Sequence, residues 1–442
     1  MTQNFSHKLT IIFGVLLFLW LLLSYTSVIE VPRSVSSRNT AVEIENRIIK
    51  LQKQMDEQIA DSHKLLEKVK KQLEKTEDDH EEINEVDDVD NDMQNAQPVL
   101  PVLVIACDRV TVKRCLDNLV KFRPSKEIFP IIVSQDCGHN ATYEVIQSYT
   151  KADPSISVVR QPDLSEIKLP RVKVKFRGYY KIARHYKFAL NHVFEKLGHE
   201  AVIIVEDDLD ISPDFFEYIL GTYPLLLKDH TLWCISAWND NGKKEVIDMS
   251  RPELLHRTDF FPGLGWMLRK DTWLTLAPKW PVAFFDDWLR NPVNIDGKAC
   301  IRPEISRTYS FGKVGVSKGL FFDVHLRNIQ LNMEFVEFTK LNLTYLLKEH
   351  YDEELTNKVY NLPEMTAEEV TSNTPPGKTA VRVMYSNAKS YQKAAKKLGL
   401  MDDFRSGVPR TAYRGIVTCY VRGRRVYLAP DFEWTKYYPT WG

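Results

Sequence analysis

Ala201-Val202-Ile203-Ile204-Val205-Glu206-Asp207-Asp208 is the stretch that decides the fold. Its apolar residues run without a break and end directly in three carboxylates. An uninterrupted apolar run of this length is the pattern of a strand buried on both faces. Two upstream segments repeat it. Val99-Leu100-Pro101-Val102-Leu103-Val104-Ile105-Ala106 ends at Cys107-Asp108-Arg109, and Ile128-Phe129-Pro130-Ile131-Ile132-Val133-Ser134 ends at Gln135-Asp136-Cys137. A shorter strand is predicted at Ile156-Ser157-Val158-Val159. Helical spacing falls between them, through Val112, Cys115, Leu116, Leu119 and Val120, over 143–150 and over 180–197. This β-α-β-α-β alternation predicts a mostly parallel sheet with helices on its faces. Ligands of such sheets bind at the carboxyl ends of the strands. Arg109, Asp136 and Asp208 each follow a predicted strand, so polar groups far apart in sequence are expected to converge at one edge.

Carboxylates placed straight after a buried strand are costly unless a cation compensates them. A divalent metal that bridges to a diphosphate does so, because Mg²⁺ and Mn²⁺ favour carboxylate and phosphate oxygens. Taken alone, the triplet also reads as a solvated loop or a capping cluster, since Ser212-Pro213-Asp214 resembles a helix start. A second acidic group lies at Phe284-Phe285-Asp286-Asp287-Trp288, where aromatic neighbours wall a carboxylate suited to act as a general base. The plainer reading there is a structural pair, with Asp287 capping and Asp286 exposed. An inverting sugar transfer needs a base on the acceptor side and a Lewis acid on the leaving diphosphate. Two separated carboxylate groups fit that division.

The chain has 442 residues, more than one ordinary domain, and its formal net charge is zero. Charge balance argues against a bulk nucleic-acid binder. Residues 9–28 contain no charged side chain. At ~1.5 Å per residue such a run spans about the hydrocarbon core of a bilayer. It is longer than the ~7–15-residue core of a cleaved signal peptide. We therefore expect an uncleaved signal-anchor, with residues 1–8 cytosolic and the remainder lumenal. Residues 29–97 read as a stem. Ile44, Ile48, Leu51 and Met55, then Leu65 and Val69, form a weak helical stripe that offers a seam for self-association. The acidic run from Glu77 to Asp92 cannot bury a core and reads as a solvated spacer. At Pro98 the composition changes. We expect a catalytic domain over 98–312, a loop and linker over 313–348, and a smaller mixed α/β domain over 349–442. That last domain has predicted strands at 381–385, 415–421 and 424–428, a helix over 390–398, and no chemistry of its own.

Longer strings are more specific. Tyr179-Tyr180-Lys181-Ile182-Ala183-Arg184-His185-Tyr186, Val205-Glu206-Asp207-Asp208-Leu209, Ser236-Ala237-Trp238-Asn239-Asp240-Asn241-Gly242 and Asp259-Phe260-Phe261-Pro262-Gly263-Leu264-Gly265-Trp266 occur in that order. Arg302-Pro303-Glu304-Ile305-Ser306-Arg307-Thr308 and Ser406-Gly407-Val408-Pro409-Arg410 follow. From about Pro98 to the C-terminus the chain closely resembles the N-acetylglucosaminyltransferase I family. These are the α-1,3-mannosyl-glycoprotein 2-β-N-acetylglucosaminyltransferases. The anchor and stem resemble that family only in type. The resemblance implies a GT-A fold, a type II Golgi membrane protein, UDP-GlcNAc as donor and Mn²⁺ as metal. The implied reaction places GlcNAc in β-1,2 linkage on the α-1,3-arm mannose of a high-mannose N-glycan. It further implies Asp208 as metal ligand, Glu206 and Asp207 on the ribose and GlcNAc, and Arg109, Asp136 and His185 on the uridine and phosphates. Asp286 would be the base, and Val316 and Ser317 would close over the donor. One departure is visible. The aromatic beside the base, commonly Trp in the family, is Phe285, which keeps an apolar wall but lacks an indole donor.

His185 has a competing reading, because a lone His on an apolar-faced helix is more often structural. Lys181, Arg184 and Lys187 around it are consistent with a phosphate-facing basic helix. Six cysteines in a lumenal context permit disulfides. Cys107 and Cys137 follow strands at the same predicted edge and are free to approach, though composition leaves the connectivity open. The resemblance implies Cys107–Cys137 and Cys234–Cys300 and leaves Cys115 free, with Cys419 an extra thiol. No Cys-x₂-Cys pair is present to favour zinc. Asn140-Ala141-Thr142 and Asn342-Leu343-Thr344 are sequons. Two rivals were weighed. A sister transferase acting on protein O-mannose is disfavoured because no lectin-like domain separates stem and catalytic region. A catalytically silent scaffold is disfavoured because Glu206, Asp207, Asp208 and Asp286 are all retained.

Overall fold

Alternate residues of the first apolar run face opposite cores, and that fixes the architecture. Val102, Val104 and Ala106 join one core cluster, whereas Leu103 and Ile105 join another on the far side of the sheet. A strand buried on both faces must be covered by helices on both. The computed structural model describes residues 98–313, 315, 319, 322–372 and 379–441. The segments expected to form the anchor and stem lie outside them, as do Val316 and Ser317. Among the described residues, no helix is long and apolar enough to cross a membrane.

The chain runs β1 (Val102–Ala106), α1 (Val112–Phe122), β2 (Ile131–Gln135), α2 (Asn140–Ala152), β3 (Ile156–Arg160), α3 (Arg177–Asn191), β4 (Ala201–Glu206) and β5 (Leu209–Ile211). It continues through α4 (Phe215–Lys228), β6 (Leu232–Ser236), β7 (Leu255–Thr258), β8 (Trp266–Arg269), α5 (Lys270–Leu276), α6 (Phe285–Leu289), β9 (Ala299–Pro303) and β10 (Thr308–Ser310). The eight-stranded sheet has the order β3-β2-β1-β4-β8-β6-β9-β7. Strands β3, β2, β1 and β4 are mutually parallel, and β9 is parallel to β6. β8 runs antiparallel between β4 and β6, and β7 is an antiparallel edge. The sheet is therefore mostly parallel, as the sequence predicts, with antiparallel insertions that its short, Gly- and Pro-interrupted runs do not announce.

Helix α1 turns Val112, Cys115, Leu116 and Leu119 inward, at the spacing read from the sequence. Helix α3 buries Ala183, His185, Tyr186, Ala189 and Leu190. Each fully buried Leu or Ile in such a layer contributes roughly 1.5–3 kcal/mol.

Beyond the sheet come α7 (Lys348–Tyr360), α8 (Ala367–Thr371), β11 (Val381–Met384), α9 (Ala388–Leu398), β12 (Phe404–Arg405), β13 (Val408–Pro409), β14 (Val417–Val421) and β15 (Arg424–Ala429). Strands β11, β15 and β14 form a separate three-stranded sheet with its own core, to which Val246 contributes. Polar ties fasten this region to the large sheet. Arg410 pairs with Asp240 at 2.7 Å, Arg425 pairs with the buried Glu304 at 2.9 Å, and the Asp259 amide donates to the Ala412 carbonyl at 2.7 Å.

Candidate functional site

Parallel pairing of β1 with β2 and β4 puts their carboxyl ends side by side. The Asp136 amide donates to the Ala106 carbonyl at 2.9 Å, and the Asp207 amide donates to the Ile105 carbonyl at 3.0 Å. The expected convergence of Arg109, Asp136 and the acidic turn at one sheet edge is what the backbone builds. A disulfide between Cys107 and Cys137, with Cα atoms 5.2 Å apart, ties the ends of β1 and β2. A second joins Cys234 on β6 to its direct cross-strand partner Cys300 on β9. Cys115 and Cys419 are buried and free.

Glu206, Asp207 and Asp208 do not sit as equals. Arg109 bridges two of them, with Nη2 donating to Asp207 and Nη1 to Asp208 Oδ2 at 2.7 Å. Glu206 accepts instead from the Tyr186 hydroxyl at 2.7 Å. Burial, then the neighbouring Asp208, raises Glu206 to about 7. Burial raises Asp207 to about 6 against the pull of Arg109. Three carboxylates facing one guanidinium leave a negative excess in a largely dehydrated turn.

That excess is the test for a metal. Asp208 Oδ1 is buried and makes no hydrogen bond, an orphaned acceptor of the kind a cation completes. Among the described residues no group of three His, Cys, Asp or Glu side chains could hold an ion alone. A cation here would need one carboxylate plus phosphate and water oxygens, the ligand set Mg²⁺ and Mn²⁺ accept at nucleotide sites. The residues present fit a divalent ion that arrives with a diphosphate.

The segment after β10 lies against this turn. β10 pairs with β5 immediately beyond the acidic triplet, Ser310 opposite Leu209, and the Phe311 amide donates to the Asp208 carbonyl at 2.9 Å. Arg114 pairs with Asp210 and stacks over Phe311, 4.2 Å from the ring centre. Gly312 has no room for a side chain, since a Cβ there would stand 1.9 Å from Asp208 Oδ2.

His185 is buried, and its Nε2 lies 2.8 Å from Ser134 Oγ at the end of β2, on the Asp136 side. Burial lowers its pKa to about 4, so the ring is neutral at pH 7. Arg184, from the same helix, is tied to Asp163 at 3.0 Å and to Ser165.

Asp286 and Glu206 line one cavity of about 200 Å³, together with Tyr179, Tyr186, Leu264 and Arg290. Asp286 stands on the short helix α6, which it shares with Asp287 and Phe285. Arg290, one turn on, donates to Asp286 Oδ2 at 2.8 Å and to Asp287 at 3.1 Å. Phe285 points into the core, 4.2 Å from the ring of Tyr186 and 5.4 Å from that of Trp280, so the apolar wall expected beside the base is present. Phe284 is left-handed, with φ 54°. For a bulky residue that conformation costs about 1–2 kcal/mol. Tyr179, Tyr186 and Phe284 fall within strings already quoted but are given no role there, and Arg290 lies outside every quoted string.

With that geometry established, known proteins bear on it. The model of the GNT-I family matches residues 7–441. The chain belongs to the GNT-I family. A curated relative from Arabidopsis thaliana, an alpha-1,3-mannosyl-glycoprotein 2-beta-N-acetylglucosaminyltransferase, is 37% identical over 334 residues, covering 75% of this chain and 74% of its own. Among solved structures, S. aureus TarS 1-349 in complex with UDP-GlcNAc aligns at 12% identity, covers 68% of this chain and 72% of its own, and has a TM-score of 0.31. A mannosyltransferase from Pyrobaculum calidifontis in complex with GDP-Man and Mn²⁺ aligns at 14% identity over 41% of this chain and 47% of its own, with a TM-score of 0.29. Likeness at that level is weak, and the family assignment rests on sequence alone.

Proposed function

We propose that the chain transfers GlcNAc from UDP-GlcNAc, in β-1,2 linkage and with inversion, to the α-1,3-arm mannose of high-mannose N-glycans. Membership of the GNT-I family and the relative's named activity support the reaction. The observation that carries the mechanism is the pair of carboxylate groups at one cavity, Glu206 beside the acidic turn and Asp286 across from it.

The donor domain is of GT-A type. Asp208 would hold Mn²⁺, since its buried Oδ1 has no hydrogen-bond partner among the described residues. When bound, the metal stabilises the charge that develops on the departing UDP. Arg109 and Asp136 flank the uridine and its phosphates, and neutral His185 shapes the base-binding side. Glu206 and Asp207 accept from hydroxyls of the GlcNAc and ribose, with Tyr186 holding Glu206 in place. Asp286 takes the proton from the mannose 2-hydroxyl as that oxygen attacks the anomeric carbon. Arg290 fixes the carboxylate for this task. Val316 and Ser317 close over the donor. Residues 9–28 anchor the chain in the Golgi membrane as a single-pass type II protein, and the stem 29–97 sets the lumenal part away from it, with a seam for self-association.

The test uses the lumenal fragment with UDP-GlcNAc, Mn²⁺ and an oligomannose N-glycan. Transfer of one GlcNAc that Asp286→Ala abolishes is expected. No transfer, or transfer that Asp286→Ala leaves unchanged, would sink the mechanism.

A further inference from the structure

Two phenylalanines precede the base, and both line its cavity at different depths. Phe285 is buried in the core. Phe284 is half-buried, held at φ 54°, and lines the cavity beside Asp286. Glycine or asparagine would adopt that backbone more readily, so a bulky ring there needs a compensating contact. Its contacts are other half-buried rings. Tyr179 stacks on Phe284, centroids 4.7 Å apart and planes 24° apart, and Phe176 meets Phe284 edge-on at 5.5 Å. Phe176 and Tyr179 come from the start of α3, far away in sequence, so the rings form a wall from two segments. Tyr179 stands close enough to Asp286 and Asp287 that both carboxylates, after burial, push its hydroxyl pKa up.

We propose that the Tyr179–Phe284 ring pair is a stacking subsite for a mannose residue of the acceptor glycan. This rests on the transfer reaction proposed above. The cavity, at about 200 Å³, is smaller than the ~300–1,000 Å³ of pockets that enclose drug-sized ligands. An extended glycan does not fit inside it, so the acceptor must approach from outside, over the rim. Asp286 is open to that side, with 42% of its side chain exposed. A pyranose has an apolar C–H face and a polar hydroxyl edge. An aromatic face with its negative quadrupole takes the former, and the carboxylate next to it takes the latter. A ring stacked there would have its attacking hydroxyl directed at Asp286 without any contact to the nucleotide. The subsite therefore acts on the acceptor alone.

The lead variant is Phe284→Gly, which suits the left-handed backbone and removes only the ring. Tyr179→Leu and the conservative Phe284→Tyr accompany it. Wild-type transfer to the oligomannose glycan is measured first, and its absence would refute the reaction rather than this subsite. Phe284→Gly and Tyr179→Leu should each raise the acceptor KM on the order of three- to tenfold, the size of one aromatic contact. KM for UDP-GlcNAc should stay unchanged, thermal stability of Phe284→Gly should hold or rise, and Phe284→Tyr should restore the acceptor KM. An unchanged acceptor KM in Phe284→Gly, or donor and acceptor KM rising together, overturns the proposal and leaves the rings as packing between α3 and α6.

Discussion

Asp208 and Asp286 are both carboxylates of the candidate site, yet their surroundings assign them separable losses. Asp208 presents a buried, unpartnered oxygen, while Asp286 is held by Arg290 and open to solvent. Asp208→Asn should abolish Mn²⁺-dependent binding of UDP-GlcNAc in titration calorimetry. Asp286→Asn should leave that binding intact and lower kcat by about 10²–10⁴, the range lost with a general base. Equal loss of donor binding in both would refute the division. Arg290→Met should reduce kcat about tenfold through a loosened base, with Arg290→Lys recovering part of it and donor KM constant in both. At this scale the acidic turn was legible because its cost after a buried strand can be reasoned from sequence. Tyr186 and Arg290 were not, because their roles exist only through contacts the fold creates. The Asp163 partner of Arg184 was not legible for the same reason.

Elements explain why the turn works. β4 delivers the three carboxylates, and β5 with β10 then brings Gly312 against Asp208. The apolar runs that became β1, β2 and β4 were legible from continuity alone, since burial on both faces leaves no polar positions. Strands β5 and β10, three residues each, carry no period long enough to read. β8 was hidden by the Pro262-Gly263-Leu264-Gly265 turn that opens it. Gly265 is needed there, because its φ is +87° and a Cβ would meet Thr308 Cγ2 at 2.5 Å. Gly312→Ala tests the β5–β10 arrangement. The added methyl must push the loop off the Asp208 carboxylate, so Mn²⁺-dependent donor affinity should fall about 10–100-fold, the scale of disturbing a metal ligand's support. Thermal stability without metal should change little. Affinity equal to wild type would mean that the loop does not rest on Asp208 in solution.

At the scale of the whole molecule, the same burial that tunes the site makes the stability of the fold depend on pH. His185 is buried, and its pKa is lowered from 6.5 to about 4, first by desolvation. The unfolded chain therefore takes up this proton at higher pH than the folded one. Between those two values the unfolded state binds more protons, so stability rises with pH across the window and levels off above 6.5. His256, buried against Glu304, is likewise lowered to about 4 by burial and adds in the same direction. From pH 7 to pH 5 the His185 contribution lost is about 2 kcal/mol. That is a sizeable share of the ~5–15 kcal/mol that holds a typical domain together. Urea unfolding of the lumenal fragment at both pH values measures it. Glu206 and Asp207, raised by burial, act in the opposite sense over the same window, so the test is the change on substitution: the stability of His185→Gln, which cannot charge, should shift in favour of pH 5 relative to wild type by about 2 kcal/mol. His185→Gln is expected to be less stable at pH 7 through lost packing, so the difference between pH values, rather than either value alone, decides. An identical pH difference in wild type and variant would mean that folding leaves the His185 pKa near 6.5 and that burial does not hold the ring neutral at pH 5.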